Sequence, residues 1–299
     1  MTKGAEKMRR YEEAMKRGEI PIGSVSGSGK IHIPDIGDIH IAGSGRVSPE
    51  EINVSGSCRL PGGLRIGSLK ASGSMRVDGA IEAEEIRISG SASIGGEVRA
   101  SNIFTSGNFK AAGRVVGKRI HFVGSSRIGE EIHSEGNLTA HGYLSVGGDL
   151  RTEGTVELRG RFEIDGKLTA ERFKGEIRGK SRIEGGIEAD YVEILREEGE
   201  IRLFRLPIPI WKGRGRRLTT TDIIGKKRVH IECVTCTNIT GGDVYIGEGC
   251  EVKGRVRYWG NLEIHPEASL KNPPEKIKSI SNTRIVCKDD PRLPPTSGG

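Results

Sequence analysis

Between Ser55 and Ser134 the apolar positions of the chain keep a fixed interval. Leu60, Val77, Ile94, Ala111 and Ile128 follow a 17-residue step, and so do Leu64, Ile81, Val98, Val115 and Ile132. A third register runs Leu69, Ile86, Ile103 and Ile120, followed two positions on by Ala71, Ile88, Thr105 and Phe122. Gly56, Gly73, Gly90, Gly107 and Gly124 mark the same step. Within a unit, apolar and polar residues alternate in three short runs, such as MRV, AIEA and EIRI from Met75 to Ile88. Alternation with period two places every second side chain on one face of a strand. Helix is a poor alternative, because runs so short cannot nucleate one and each interior glycine would cost about 1 kcal/mol. Glycine or Gly-Ser between the runs supplies the turns. A fixed period of this size marks a solenoid, whose units bury their apolar faces on one another. The pattern therefore predicts an all-β chain folded as a three-sided parallel β-helix with a 17- to 18-residue coil. Coils should stack at roughly 4.8 Å, and the general handedness of parallel crossovers favours the right-handed form. Leu60, Val77, Ile94 and Ile128 should form an inward ladder, with the five glycines at corners.

Outside the strict region the pattern varies. Residues 1–19 carry Ala5, Met8, Tyr11 and Met15 at helical spacing, which predicts a short amphipathic segment. It would cap the solenoid or lie in solvent, with a partner or membrane-surface contact as the functional alternative. The solenoid is expected over 20–204. It starts loosely, with the runs Ile31 to Ile33, Asp38 to Gly43 and Ile52 to Val54 read as two early coils. Beyond Ser134, the glycines Gly136, Gly142, Gly148, Gly154, Gly160 and Gly166 keep a six-residue step, which predicts corners of an 18-residue coil. Residues 205–222 should leave the solenoid as a loop, because Pro207 and Pro209 at alternate positions cannot sit in a central strand. The β-helix should continue over 223–270, where Val244 and Ile246 recur as Leu262 and Ile264. Residues 271–299, rich in proline, read as a tail in which only Ser281 to Cys287 has the pattern of an edge strand.

Composition sharpens this reading. Glycine accounts for 45 of 299 residues, about twice the usual share, and aromatics for 4%, as suits a narrow interior of Val, Ile, Leu and Ala. A net charge of +7 permits an anionic partner without requiring one. The stretch from Met1 to Ile20 lacks the apolar core of a secretory signal. Five scattered cysteines do not resemble a disulfide framework, so a reduced, cytoplasmic protein is expected.

Candidate chemistry is sparse. Arg205, Trp211, Lys212, Arg214, Arg216 and Arg217 form a basic, aromatic loop. Its plain reading is an excursion packed on the solenoid flank with its charges solvated. Its sharper reading is a contact with another subunit, an anionic surface or membrane, or nucleic acid, although nothing specifies a nucleic acid. Cys233 and Cys236 have CVTC spacing, and a zinc site would draw on Cys250, Cys287, His230 or His265. Positions three apart on a strand face opposite sides, which favours core cysteines over a metal pair. The seven histidines fall on solvent-facing positions such as His32 and supply no trio at coil spacing. No GxxxxGKS-type phosphate loop is present. No catalytic residue, metal or cofactor is expected, and the chain reads as a non-enzyme.

The stacked units, such as SGSMRVDGAIEAEEIRISGSASIGGEVRA from Ser72 to Ala100 and GGDVYIGEGCEVKGRVRYWGNLEIHPEA from Gly241 to Ala268, resemble the bactofilins, a polymer-forming cytoskeletal family. The resemblance covers about residues 52–270. It implies a right-handed β-helix that polymerises end to end without nucleotide, as a filament or scaffold, and it brings no catalytic residues or cofactor. The physics of a parallel β-helix leads the same way. Its two ends show unpaired backbone groups over an apolar core, and such edges template further pairing. Contacts between unlike ends would propagate, whereas contacts between like ends would close a dimer. The alternatives are a hexapeptide-repeat enzyme of the acyltransferase or zinc hydratase type, and a monomeric β-helical binding scaffold.

Overall fold

A computed structural model describes residues 23–33, 37–48, 50–196, 202–203, 206–207 and 215–279. Among them the chain is all-β and contains no helix, and its stacked parallel coils form a β-solenoid of about 12 turns. Its first strands are β1 (Gly23–Ile33), β2 (Gly37–Val47), β3 (Glu51–Leu60), β4 (Leu64–Val77), β5 (Ile81–Ile94), β6 (Val98–Ala111) and β7 (Val115–Ile128). From β3 to β7 each strand pairs in parallel with the next in a constant 17-residue register, so that Val77 lies beside Ile94 and Ile94 beside Ala111. The three alternating runs are the three sides of one continuous strand. In β4 the buried positions are Leu64 and Ile66, then Leu69 and Ala71, then Met75 and Val77, with a corner between each pair.

The corner before the third side needs glycine. Gly56, Gly73, Gly90, Gly107 and Gly124 have φ between +103° and +122°, a region that L side chains avoid. A Cβ on Gly90 would also sit 2.2 Å from the carbonyl oxygen of Gly73 in the preceding coil. The column continues through Gly142 and Gly160, where the coil is longer by a single position. Gly136, Gly148, Gly154 and Gly166 lie at other corners and lack a positive φ. Close approach selects glycine there: a Cβ on Gly166 would come within 2.5 Å of the Gly148 backbone.

The start of the solenoid differs from the two early coils that its alternation suggests. β1 pairs antiparallel with β2, and β2 antiparallel with β3. The link between β2 and β3 is too short for the crossover that parallel pairing needs. It closes as a tight turn in which the Ser48 amide donates to the Glu51 carbonyl at 2.8 Å and the Glu51 amide to Ser48 Oγ at 3.1 Å.

The inserted segment lies between Ile187–Arg196 and Asp222–Ile231, paired neighbours in which Val192 faces Val229 across the whole insertion. Within the insertion, Arg202–Leu203 and Leu206–Pro207 form a separate antiparallel pair. The solenoid resumes at Arg217–Thr220, inside the stretch expected to be loop. This strand pairs in parallel with Lys180–Ile183, and Leu218 is fully buried. The expected tail also begins later, because Glu275–Lys276 pairs with Val256–Tyr258. Residues 1–19 and Ser281 to Cys287 lie outside the described residues.

The core is a single stack. Its narrow bore balances large side chains against small ones within each coil: Ala71 with Met75, Ile88 with Ala92, Thr105 with Phe109, and Phe122 with Ser126. The Phe109 and Phe122 rings stack at 5.5 Å between centroids. Buried Ser126 Oγ has no hydrogen-bond partner, so its place rests on volume. Phe122→Ala should lower unfolding stability by about 3–5 kcal/mol. Ser126→Ala should leave it unchanged or raise it slightly, because an unpaired buried hydroxyl is removed. Urea denaturation of the two variants checks both, and a large loss in Ser126→Ala would contradict this account of the packing.

Candidate assembly site

The two ends of the solenoid are built from different strands. At the C-terminal end the last coil comprises Leu262–Ile264, Ser269–Leu270 and Glu275–Lys276. It pairs on one edge with Val244–Ile246, Glu251–Val252 and Val256–Tyr258. No strand covers its other edge among the described residues. The apolar register continues into this coil, but the cover does not. Val244, Ile246, Val252 and Val256 are buried, whereas Leu262 and Leu270 are half-buried and Ile264, paired with buried Ile246, is 39% exposed. Among the described residues this coil therefore shows an unpaired strand edge beside a partly exposed apolar layer, a combination that favours strand addition.

The N-terminal end is polar by comparison. β1 pairs only with β2 among the described residues. It turns Val25 and Ile31 toward the core, while Ser24, Ser26, Ser28, Lys30 and His32 are exposed. Its strand direction relative to β2 is opposite to the parallel order of the later coils, so the two ends present different hydrogen-bonding edges.

The flanks carry charge of both signs. Arg65 pairs with Glu82 at 3.5 Å, Lys70 with Glu51 at 2.9 Å, Arg87 with Glu85 at 2.8 Å and Arg99 with Glu97 at 2.8 Å. Exposed pairs of this kind contribute little stability, at most about 1 kcal/mol each. They do place charge along the sides of the rod, which opposes lateral packing.

Of the basic loop, Arg216 and Arg217 are described, and Arg205, Trp211, Lys212 and Arg214 lie outside the described residues. Arg217 is laced to the solenoid instead of standing clear of it. Its guanidinium donates to Thr235 Oγ1 at 2.8 Å and to the Gly249 carbonyl at 3.3 Å, and it meets Glu251 at 3.4 Å. Arg216 is half-buried. The sequence missed this binding because a cation within an Arg-rich run gives no sign of which member starts a strand.

The cysteines divide, but not by strand alternation: Cys233 precedes the strand Val234–Cys236, all three residues of which are buried. Cys236 and Cys250 are buried, and burial pushes their thiols up to about 12 and about 11 respectively. Such thiols stay protonated at neutral pH, which is unfavourable for both metal ligation and nucleophilic attack. Cys233 sits at a turn with φ +54°, half-exposed, beside Gly249. Among the described residues no three His, Cys, Asp or Glu side chains converge as ligands. His32 and His40 are exposed, and His32 pairs with Asp38 at 2.8 Å. No helix among the described residues is long and apolar enough to cross a membrane. The chain matches no known family, no curated protein and no solved structure.

Proposed function

We propose that this protein is a structural scaffold, not an enzyme, and that it self-associates end to end through its C-terminal coil without nucleotide or cofactor. The supporting observation is the incompletely buried apolar layer of Leu262, Ile264 and Leu270 beside a strand edge that is unpaired among the described residues. A second copy of the same end matches it in hydrophobicity, whereas the Ser- and Gly-rich edge of β1 does not. The first contact is then isologous and closes a dimer, and the assembly extends into a filament where the N-terminal edges pair as well. This reading agrees with the resemblance to bactofilins in the repeat units. In it the protein works in the cytoplasm, and its basic loop adds contact with an anionic surface.

Analytical ultracentrifugation tests the proposal. Wild-type protein should populate dimers or polymers as concentration rises. Ile264→Lys places two like charges in one isologous contact and should weaken association by at least about tenfold, the equivalent of 1.4 kcal/mol. Its circular dichroism should stay that of the parent, since Ile264 is already exposed. Wild-type protein that remains monomeric at every concentration would sink the proposal.

A further inference from the structure

One side of the first seven strands departs from the mixed charge of the others. Strand register places Lys30 beside His40, His40 beside Arg59, and Arg59 beside Arg76. The same row continues through Ser93 to Lys110 and Arg127. All six basic residues are exposed. The row runs along the rod axis for six strand steps, roughly 29 Å at about 4.8 Å per step. It ends beyond Arg127, where the register passes to Ser145 and then to acidic Glu163.

Two carboxylates border the row. Asp38 pairs with Lys30 at 2.7 Å and also meets His32. Asp78 is shared between Arg59 at 2.8 Å and Arg76 at 3.3 Å. Lys110 has no carboxylate partner among the described residues, and Arg127 lies over the Tyr143 ring at 5.3 Å. The five permanent cations thus outnumber their acids. Beside them runs a second column of short polar side chains, Ser57, Ser74, Ser91, Asn108 and Ser125. Because these are small, the surface sinks next to the cations. Two shallow depressions follow the column and meet at Ser57 and Cys58.

The geometry points to a binding trough for a linear polyphosphate chain. The trough wall offers ammonium and guanidinium donors, its floor offers hydroxyls, and its two carboxylates are already engaged. Such a lining suits a ligand made only of acceptors and carrying charge along its whole length. A nucleic acid would add bases that need aromatic platforms, and the nearby Tyr143 ring is already held between Arg127 and Arg161. A lipid surface would favour apolar anchors, and the large exposed apolar side chains among the described residues, Val123 and Ile264, lie off this row. A neutral sugar chain could bond the floor's hydroxyls and the Asn108 amide, but it would leave the wall's cations without counter-charge.

Fluorescence anisotropy with labelled long-chain polyphosphate tests the assignment on the full chain. Binding should weaken steeply with salt, because several cations neutralise one polyanion. Long chains should bind far more tightly than tripolyphosphate, which cannot span the row. The double variant K110E/R127E should lose at least about tenfold in affinity. A matched reversal elsewhere, K174E/K253E, should change it little. K110Q/R127Q, with charge removed but not reversed, should fall in the same direction and guards against a folding defect. Equal losses in the two reversals would reduce the effect to net charge and overturn the trough. So would tripolyphosphate binding as well as the long chain, or K110E/R127E weakening the binding of single-stranded DNA or anionic phospholipid vesicles more than that of polyphosphate.

Discussion

Ile94→Asp should destabilise the protein by about 4 kcal/mol or more, enough to unfold the surrounding coils at moderate temperature. Ile94 is 1% exposed and lies in an inward column between Val77 and Ala111. A carboxylate there has no cation and no hydrogen-bond donor in reach, because its neighbours in the ladder are hydrocarbon. The deficit should depend on pH with a definite sign. Burial raises the folded-state pKa of the new carboxyl, while the unfolded carboxyl ionises near 4. Above that pH the folded state binds the extra proton, so the deficit grows as pH rises through the unfolded value. Ile94→Val, by comparison, should cost about 0.5–1.5 kcal/mol at any pH. Urea denaturation on both sides of the carboxyl pKa measures all three quantities. An Ile94→Asp protein as stable as its parent would mean that the inward register is misassigned.

Gly90→Ala should be nearly as damaging although it adds one methyl group. Two penalties coincide: a φ of +122° that alanine resists, and a Cβ 2.2 Å from the Gly73 carbonyl oxygen. Gly27 separates them. It has φ +96° with nothing within 4 Å of its added Cβ, so Gly27→Ala carries the conformational penalty alone, about 1–3 kcal/mol. Gly90→Ala should exceed Gly27→Ala by about 2 kcal/mol or more, since neither backbone in the column can retreat without breaking its ladder. Equal melting temperatures for the two variants would show that the corner is soft and that glycine serves there for torsion only.

The solenoid was legible from Ile52 to Ile194 because parallel coils in near-constant register return each inward position at the same interval, whereas the strand Arg217–Thr220 was hidden in the Arg-rich run before it. Leu60, Val77 and Ile94 announce both their face and their neighbours. The start was illegible for a specific reason. Alternation in Ile31 to Ile33 and Asp38 to Gly43 reports which side chains turn inward but not which way the strand runs. The 17-residue interval was the missing signal: Gly27, Gly43 and Gly56 follow one another at shorter and unequal steps, as hairpins folding back about short turns allow. The equal spacing of Gly136, Gly142 and Gly148 concealed a different distinction. Only Gly142 has a positive φ, and no pattern of letters separates a glycine chosen for torsion from one chosen for room. The C-terminal candidate site was half legible. Leu262 and Ile264 repeat Val244 and Ile246 in the sequence, but their incomplete burial shows only in the structure, where no strand pairs with their outer edge among the described residues. The basic row from Lys30 to Arg127 is not legible in the sequence, because its members join only through strand register and its first two sit on strands whose direction the alternation does not disclose.

The constant register from β3 to β7 also sets what changes of length the molecule tolerates. Duplicating or deleting one full repeat within this region adds or removes one complete coil. Every inward residue still faces inward, and the rod alters by about 4.8 Å. A change of a single residue within a side instead turns all later positions of that side over, exposing Ile and burying Arg. The unit of inheritance for such a protein is therefore the whole coil, and rods of many lengths lie within reach of one ancestral repeat.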